Sequence, residues 1–347
     1  MDPERLVVRL REGVRLDRFL TQRLPRVSRT RIQRHIERGD VFVNGRCVRA
    51  SHRLNDGDVV TLPGLAERRL DHASQPVPFT VVHADEHLIV VDKPAGVLVH
   101  PVGEEYQRTL LNGLHLWMRE RGEDPIELGI VHRLDRLTSG LLVMAKTLAA
   151  RRALSHAVEH RQVGRAYVAL VAGTPPQQRG TIDLHIRRNP SRPTRMETVA
   201  APGAAAGPPA AAPPHVSASG YSNPRHDVRP RPARTRYVVL RRLDAATLLR
   251  FVLETGRTHQ IRVHAQGAGF PLLGDPLYGP AHPPAWAAAM QRPALHASRL
   301  EFEHPVTRQR LRFQSPLPSD MRDLIQAGAL RRPTAVTSPR PQTAPRP

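Results

Sequence analysis

Two hydrophobic periods run along this chain, and the change from one to the other divides it. In VRLDRFLTQRL, Leu16, Phe19 and Leu20 fall at i, i+3 and i+4, one face of a helix. Pro25 ends that helix. Ser28 is placed to cap a second one, SRTRIQRHIERG, and Gly39 to close it. Ile32 and Ile36 make its apolar side, while Arg31, Arg34 and Arg38 make a separate basic side. VFVNGRCV reads as a hairpin, because Asn44-Gly45 suits a tight primed turn. Asn55-Asp56-Gly57-Asp58 marks another turn before VVTL.

From Phe79 the period shortens toward two. FTVVHADEHLIVVDKP predicts two strands around an Ala-Asp-Glu turn, and GIVHRLD and GLLVMAK are further β-prone segments. A helix over 147–162 precedes the strand RAYVALVAG. TRYVVLRRL and TLLRFVLETG form another pair, THQIRVHAQGAG a short helix, and LRFQSPL a late strand. Strands outnumber helices and run mostly as hairpins, so the class is α+β with a mixed, largely antiparallel sheet. The domains are 1–63, a linker at 64–78, a large domain over 79–328 and a tail at 329–347. Residues 200–232, rich in Ala, Pro, Gly and Arg, predict a disordered insertion between strands, and the Pro-rich tail reads likewise.

Charge narrows the partners. The formal net charge is +21, which points to a polyanion, most simply nucleic acid. Of the basic residues only Lys93 and Lys146 are lysines, a ratio that looks like codon bias, so only the sign of the charge carries meaning. One cysteine, Cys47, excludes an internal disulfide. No apolar run reaches bilayer length, and MDPERLVVRLREG lacks a signal-peptide core. The expectation is a cytoplasmic protein, monomeric and without membrane contact.

HRLDRLTSGLL sets Asp135 between Arg133 and Arg136 among leucines. Guanidinium groups nearby favour an ionised carboxylate, which can attack an electrophilic carbon as in glycosidases. Half of a structural ion pair reads equally well from these residues. His156, Glu159 and His160 match the H-x-x-E-H pattern of inverted zinc peptidases, the sharpest rival chemistry, although no third-ligand helix follows.

Longer stretches carry a resemblance. LDRFL, SRTRIQRHIERG and VFVNG resemble the S4 RNA-binding domain, which implies that Ser28, Arg29, Arg31, Arg34 and Arg38 face RNA. A solvated basic helix face is the plainer alternative for those arginines. GIVHRLDRLTSGLLVMAK resembles the signature of the RluA-type RNA pseudouridine synthases. LIVVDKPAGVLVHP, RAYVALVAG, LETGRTHQIRVHAQGAGFPLLGDPLYG and ALHASRLEFEHP resemble its other motifs, in family order. The resemblance implies the pseudouridine synthase fold and a cofactor-free, metal-free isomerisation of uridine in RNA. It implies Asp135 as nucleophile, Tyr167 against the target base and as a candidate for proton removal, and Arg262 as partner of the aspartate. His132, Arg133, Thr138 and Lys93 are implied on the RNA-binding side. By analogy with S4-bearing relatives, the target is large-subunit ribosomal RNA, with transfer RNA or a non-catalytic assembly role as alternatives.

Three positions depart from the pattern: Arg165 stands where the strand motif usually has Lys, Pro293 where Gln is common, and the 200–232 insertion is long. The two lysines invite a further expectation. Where drift has exchanged nearly every Lys for Arg, Lys93 and Lys146 either mark places a bulkier guanidinium does not fit or survive by chance.

Overall fold

The computed structural model describes residues 4–9, 13–24, 29–62, 76–102, 107–125, 128–200 and 228–329. They fall into two compact units, one within Met1–Ala73 and one from Ser74 onward.

The first unit follows its hydrophobic periods. β1 (Glu4–Val7) and β2 (Val14–Arg15) precede α1 (Leu16–Arg23) and α2 (Arg29–Glu37). β3 (Phe42–Val43), β4 (Arg46–Cys47), β5 (Arg53–Leu54) and β6 (Val59–Leu62) follow. The sheet runs β1-β6-β3-β4, and β2 pairs with β5. Leu16, Phe19 and Leu20 of α1 pack with Ile32 and Ile36 of α2 in one core, the pairing that their spacing predicts. Asn44 and Gly45 both take positive φ, as a primed turn requires. The Asn44 side chain also ties this turn to the next, its Oδ1 accepting from Val59 N and its Nδ2 donating to Asp58, each at 2.8 Å. Pro25 and the cap at Ser28 lie outside the described residues, as do the side chains of Arg29, Arg31 and Arg34; Arg38 is exposed.

The second unit is built on one sheet. β7 (Thr80–Ala84) and β8 (Leu88–Lys93) form the expected hairpin. α3 (Leu110–Arg119) and the two-residue β9 (Gly129–Ile130) lead to β10 (Ser139–Ala145). α4 (Leu148–Glu159), capped by Thr147, precedes β11 (Gly164–Ala172). β12 (Arg179–Asp183), β13 (His185–Arg188) and β14 (Met196–Val199) come next. β15 (Arg234–Leu243), β16 (Ala246–Leu253) and α5 (Gln260–Gly267) follow. β17 (Leu295–Glu303), β18 (Arg310–Gln314) and α6 (Ser319–Ala329) complete it. The order is β12-β15-β16-β11-β17-β10-β8-β7, with β18 beside β17 and β9 beside β10. Only the β10–β17 pairing is parallel among these neighbours, so the sheet is mixed and largely antiparallel.

The central strands are apolar on both faces because both faces are covered. Leu142 and Met144 of β10 join α3 and α5 in one core, through Leu110, Leu114, Ile261 and Ala265. Leu141, Val143 and Ala145 face the other way, onto Ala150 and Leu154 of α4. The period of two along β10 therefore feeds two cores from one strand.

Gly140 marks the entry into β10. Its φ is +113°, and an added Cβ would stand 2.3 Å from the Ala297 carbonyl oxygen of β17. Gly140→Ala should therefore cost at least about 2 kcal/mol through strain and overlap. Urea unfolding checks this; a loss below about 0.5 kcal/mol, the size of a neutral surface change, would mean that the two strands separate freely here.

Three expectations need correction. HRLD is a loop, since β9 ends at Ile130 and β10 starts at Ser139. The insertion is shorter than 200–232: Arg231 exchanges two backbone hydrogen bonds with Ile186, each at 2.9 Å, so its last residues are pinned to β13. α3, α6 and the β13–β14 hairpin have no counterpart among the predicted elements. Residues 201–227 and 330–347 lie outside the described part. Among the described residues no helix is long and apolar enough to cross a membrane.

Candidate active site

The loop between β9 and β10 is held from below. Thr138 N donates to the Asp135 carbonyl at 3.1 Å and closes a turn around the acid. Gly96 N donates to the Arg136 carbonyl at 2.8 Å, and Arg136 Nε donates back to Gly96 O at 3.1 Å. Lys93 lies fully buried beneath. Its Nζ donates to the carbonyls of Pro94 (2.8 Å), Val97 (2.9 Å) and Arg136 (3.1 Å). Three acceptors match the three N–H groups of an ammonium. Burial lowers the Lys93 pKa to about 7, with the charge of Asp135 opposing that shift.

Lys93 therefore does not reach RNA, against expectation; it positions the backbone next to Asp135. A planar guanidinium cannot offer three converging bonds in this space. Lys93→Arg should lower turnover by about tenfold, on the scale of a lost positioning contact. Steady-state kinetics checks this, and turnover equal to the wild type would contradict it.

Asp135 does not pair with its sequence neighbours. Arg133 is exposed, and the Asp135 ion pair comes from α5, where Arg262 Nη1 meets Oδ2 at 3.1 Å. Asp275 fixes Arg262 from the far side: Nε to Oδ2 is 2.7 Å and Nη2 to Oδ1 is 2.8 Å. Asp275 is itself oriented by Leu277 N (2.9 Å) and Tyr278 N (3.1 Å). Burial works against the Arg262 charge, but the Asp275 hydrogen bonds and then Asp135 outweigh it and raise its pKa. Nδ1 of His259 lies 2.9 Å from the Tyr278 hydroxyl at the mouth of α5. Oδ1 of Asp135 carries no hydrogen bond among the described residues, which leaves one carboxylate oxygen free.

Asp135 opens onto a cleft of about 460 Å³. Tyr167, on β11, lines the same cleft, and so do His132, Thr138, Arg165, His259 and Arg262. That volume suits a single small ligand group. Tyr167 is nearly buried, and burial raises its pKa, so the phenol keeps its proton at neutral pH. Arg133, Arg161 and Arg257 add positive charge to the walls.

The structure thus brings Asp135, Tyr167 and Arg262 into one cleft with His132, Arg133 and Thr138, and leaves Lys93 beneath it. Asp275 lies inside the LLGDPLYG stretch, where no local feature marks it as the anchor of Arg262. The rings of His156 and His160, the zinc-peptidase pattern, stack at 3.8 Å on an exposed helix end. Among the described residues no group of three His, Cys, Asp or Glu side chains is placed to hold a metal ion.

Comparison with known proteins bears on the same residues. The model of the RNA pseudouridylate synthase family matches residues 87–267, and that of the S4 domain matches residues 14–60. A Nitrosomonas europaea protein named ribosomal large subunit pseudouridine synthase D is 40% identical over 320 residues, 91% of this chain and 84% of its own. YlyB of Bacillus subtilis, an uncharacterized RNA pseudouridine synthase, is 36% identical over 90% of this chain and 93% of its own. Human RNA pseudouridylate synthase domain containing 4 superposes with a TM-score of 0.56 at 22% identity. That match covers 72% of this chain and 92% of the human one, and speaks for the fold alone. The chain belongs to the RNA pseudouridylate synthase family, with an S4 domain ahead of its catalytic unit.

Proposed function

We propose that this enzyme isomerises uridine in large-subunit ribosomal RNA, with Asp135 as nucleophile, no cofactor, and a cytoplasmic monomer as the working form. The observation that carries the catalytic part is the Asp135–Arg262 pair, held by Asp275 and open to a cleft beside Tyr167. The bond changes balance without an outside reagent. The C1′–N1 bond breaks, a C1′–C5 bond forms, C5 loses its proton and N1 gains one. Nothing is oxidised or reduced.

A stacked base hides its glycosidic bond, so the nucleotide must leave the helix, at a cost of a few kcal/mol. Phosphate contacts offset this cost. Arg133, exposed at the cleft wall, holds the opened helix. In the cleft the free oxygen of Asp135 attacks ribose C1′ or uracil C6, Arg262 steadies its charge, and Tyr167 packs on the base. In the S4 segment, the basic residues Arg31, Arg34 and Arg38 of the sequence carry the contact to RNA. The ribosomal target follows the names of the N. europaea relative and of a Pseudomonas aeruginosa relative at 37% identity, both ribosomal large subunit pseudouridine synthase D.

The test is to incubate purified enzyme with ribosomal and transfer RNA from cells lacking it, then map new pseudouridines. Modification confined to large-subunit RNA is expected. Modification confined to transfer RNA would move the target, and an enzyme inert on all RNA while still binding it would favour an assembly factor.

A further inference from the structure

Three arginines are buried among the described residues: Arg165, Arg262 and Arg292. Arg262 holds two carboxylates, and Arg292 holds Asp320 together with two backbone carbonyls. The side chain of Arg165, a residue only 8% exposed, has neither an ion pair nor a hydrogen bond among the described residues. Its Nε is sealed from solvent with no acceptor, while its terminal nitrogens keep some exposure at the cleft. A buried cation without an anion is costly and calls for an explanation.

Its position suggests one. Arg165 and Tyr167 are two residues apart on β11, so they project from the same face, and both line the cleft of Asp135. An added Cβ on Gly256 would lie 3.1 Å from Arg165 Nη1, so the bare backbone of the bordering loop makes room for the guanidinium.

A second unpaired donor lies in the same wall. His132 Nε2 accepts from Val143 N at 3.3 Å, so Nδ1 carries the ring proton. That Nδ1 is also buried without a partner among the described residues. Burial, helped by the charge of Arg165, lowers the His132 pKa to about 3, so the ring stays neutral and offers one N–H. The two groups thus sense each other.

We infer that Arg165 and His132 form a seat for a backbone phosphate flanking the extruded uridine. This rests on the reading that the cleft receives that nucleotide. Uracil and ribose are neutral, so neither supplies the missing anion, and Asp135 is already engaged by Arg262. A phosphodiester does supply it, and its oxygens suit the planar fork of a guanidinium. His132 offers a second N–H in the same wall. The seat would fix the sugar–phosphate backbone beside Asp135 while leaving the base to Tyr167.

The test uses an RNA fragment that wild-type enzyme modifies, made also with a neutral methylphosphonate at the linkage 5′ or 3′ of the target. Arg165→Met should lower kcat/KM about a hundredfold, the scale for losing a desolvated charge pair, and Arg165→Lys should recover part of it. His132→Phe should cost about tenfold, as for one buried hydrogen bond. One of the two neutral linkages should harm wild type strongly but Arg165→Met by less than about threefold, since coupled losses do not add. The Tm of Arg165→Met should not fall, because an uncompensated buried charge has been removed.

Active wild type that tolerates both neutral linkages, or losses that add independently, would overturn this inference alone. So would Arg165→Met working within about threefold of wild type, a change too small for a lost charge pair. Wild type inert on every RNA would overturn the functional reading, and this inference with it.

Discussion

Asp135→Asn enzyme, given RNA labelled with tritium at uracil C5, should release tritium at least about 10⁴-fold more slowly than wild type, as when a nucleophile is removed. The label reports the reaction because C5 loses its hydrogen when the new carbon–carbon bond forms. An amide is a poor nucleophile and carries no charge for Arg262 to steady. The fold should tolerate the change, because Arg262 keeps both bonds to Asp275. RNA affinity, measured by filter binding at fixed salt, should stay within about threefold, because phosphate contacts from arginines dominate it. Loss of binding along with activity would instead place Asp135 among the structural ion pairs.

Removing the guanidinium has a different signature. Arg262→Met should cost about 3–5 kcal/mol of stability, the price of stranding a buried charge, here Asp275. The Asp275 side chain is fully buried, so water cannot replace its lost partner. Activity should fall by about a hundredfold or more, because Asp135 loses the group that aims it. A second substitution separates the effects. Arg262→Met with Asp275→Asn removes the buried charge as well, and removing both partners is close to neutral for stability. Stability should return in the double variant while activity stays low. Urea unfolding and tritium release on the four proteins of this cycle give both coupling energies. Recovery of activity along with stability would show that Arg262 acts only by holding the fold.

Local patterns in the sequence were a good guide where the physics is local. The i, i+3, i+4 spacing of α1 and α2, the Asn44-Gly45 turn and the paired runs of β7–β8 and β15–β16 depend on near neighbours. The pattern misled where a distant contact decides. Local sequence sets Asp135 beside Arg133 and Arg136, and only the family resemblance points to Arg262, its partner 127 residues further on. Asp275, fixed on Arg262 from a separate loop, has no local mark beyond the motif that contains it. The α3 segment carries a weak helical signal, because Gly113 interrupts it. Its role is packing: a Cβ there would meet Phe79 at 2.9 Å. Lys93 stood out by composition, and the structure gives the reason in three carbonyls around one ammonium. The pairing of His132 and Arg165 as unpaired donors emerges only from burial, which no residue pattern reports.

The most direct measurement is a crystal structure of the Asp135→Asn enzyme bound to an RNA fragment that the wild type modifies. The account predicts one uridine swung out of its stack into the cleft, its ring against Tyr167. C1′ or C6 should then lie about 3–3.5 Å from the side chain at position 135, a near-attack distance. RNA bound with every base still stacked, or docked on another face with this cleft unfilled, would contradict it.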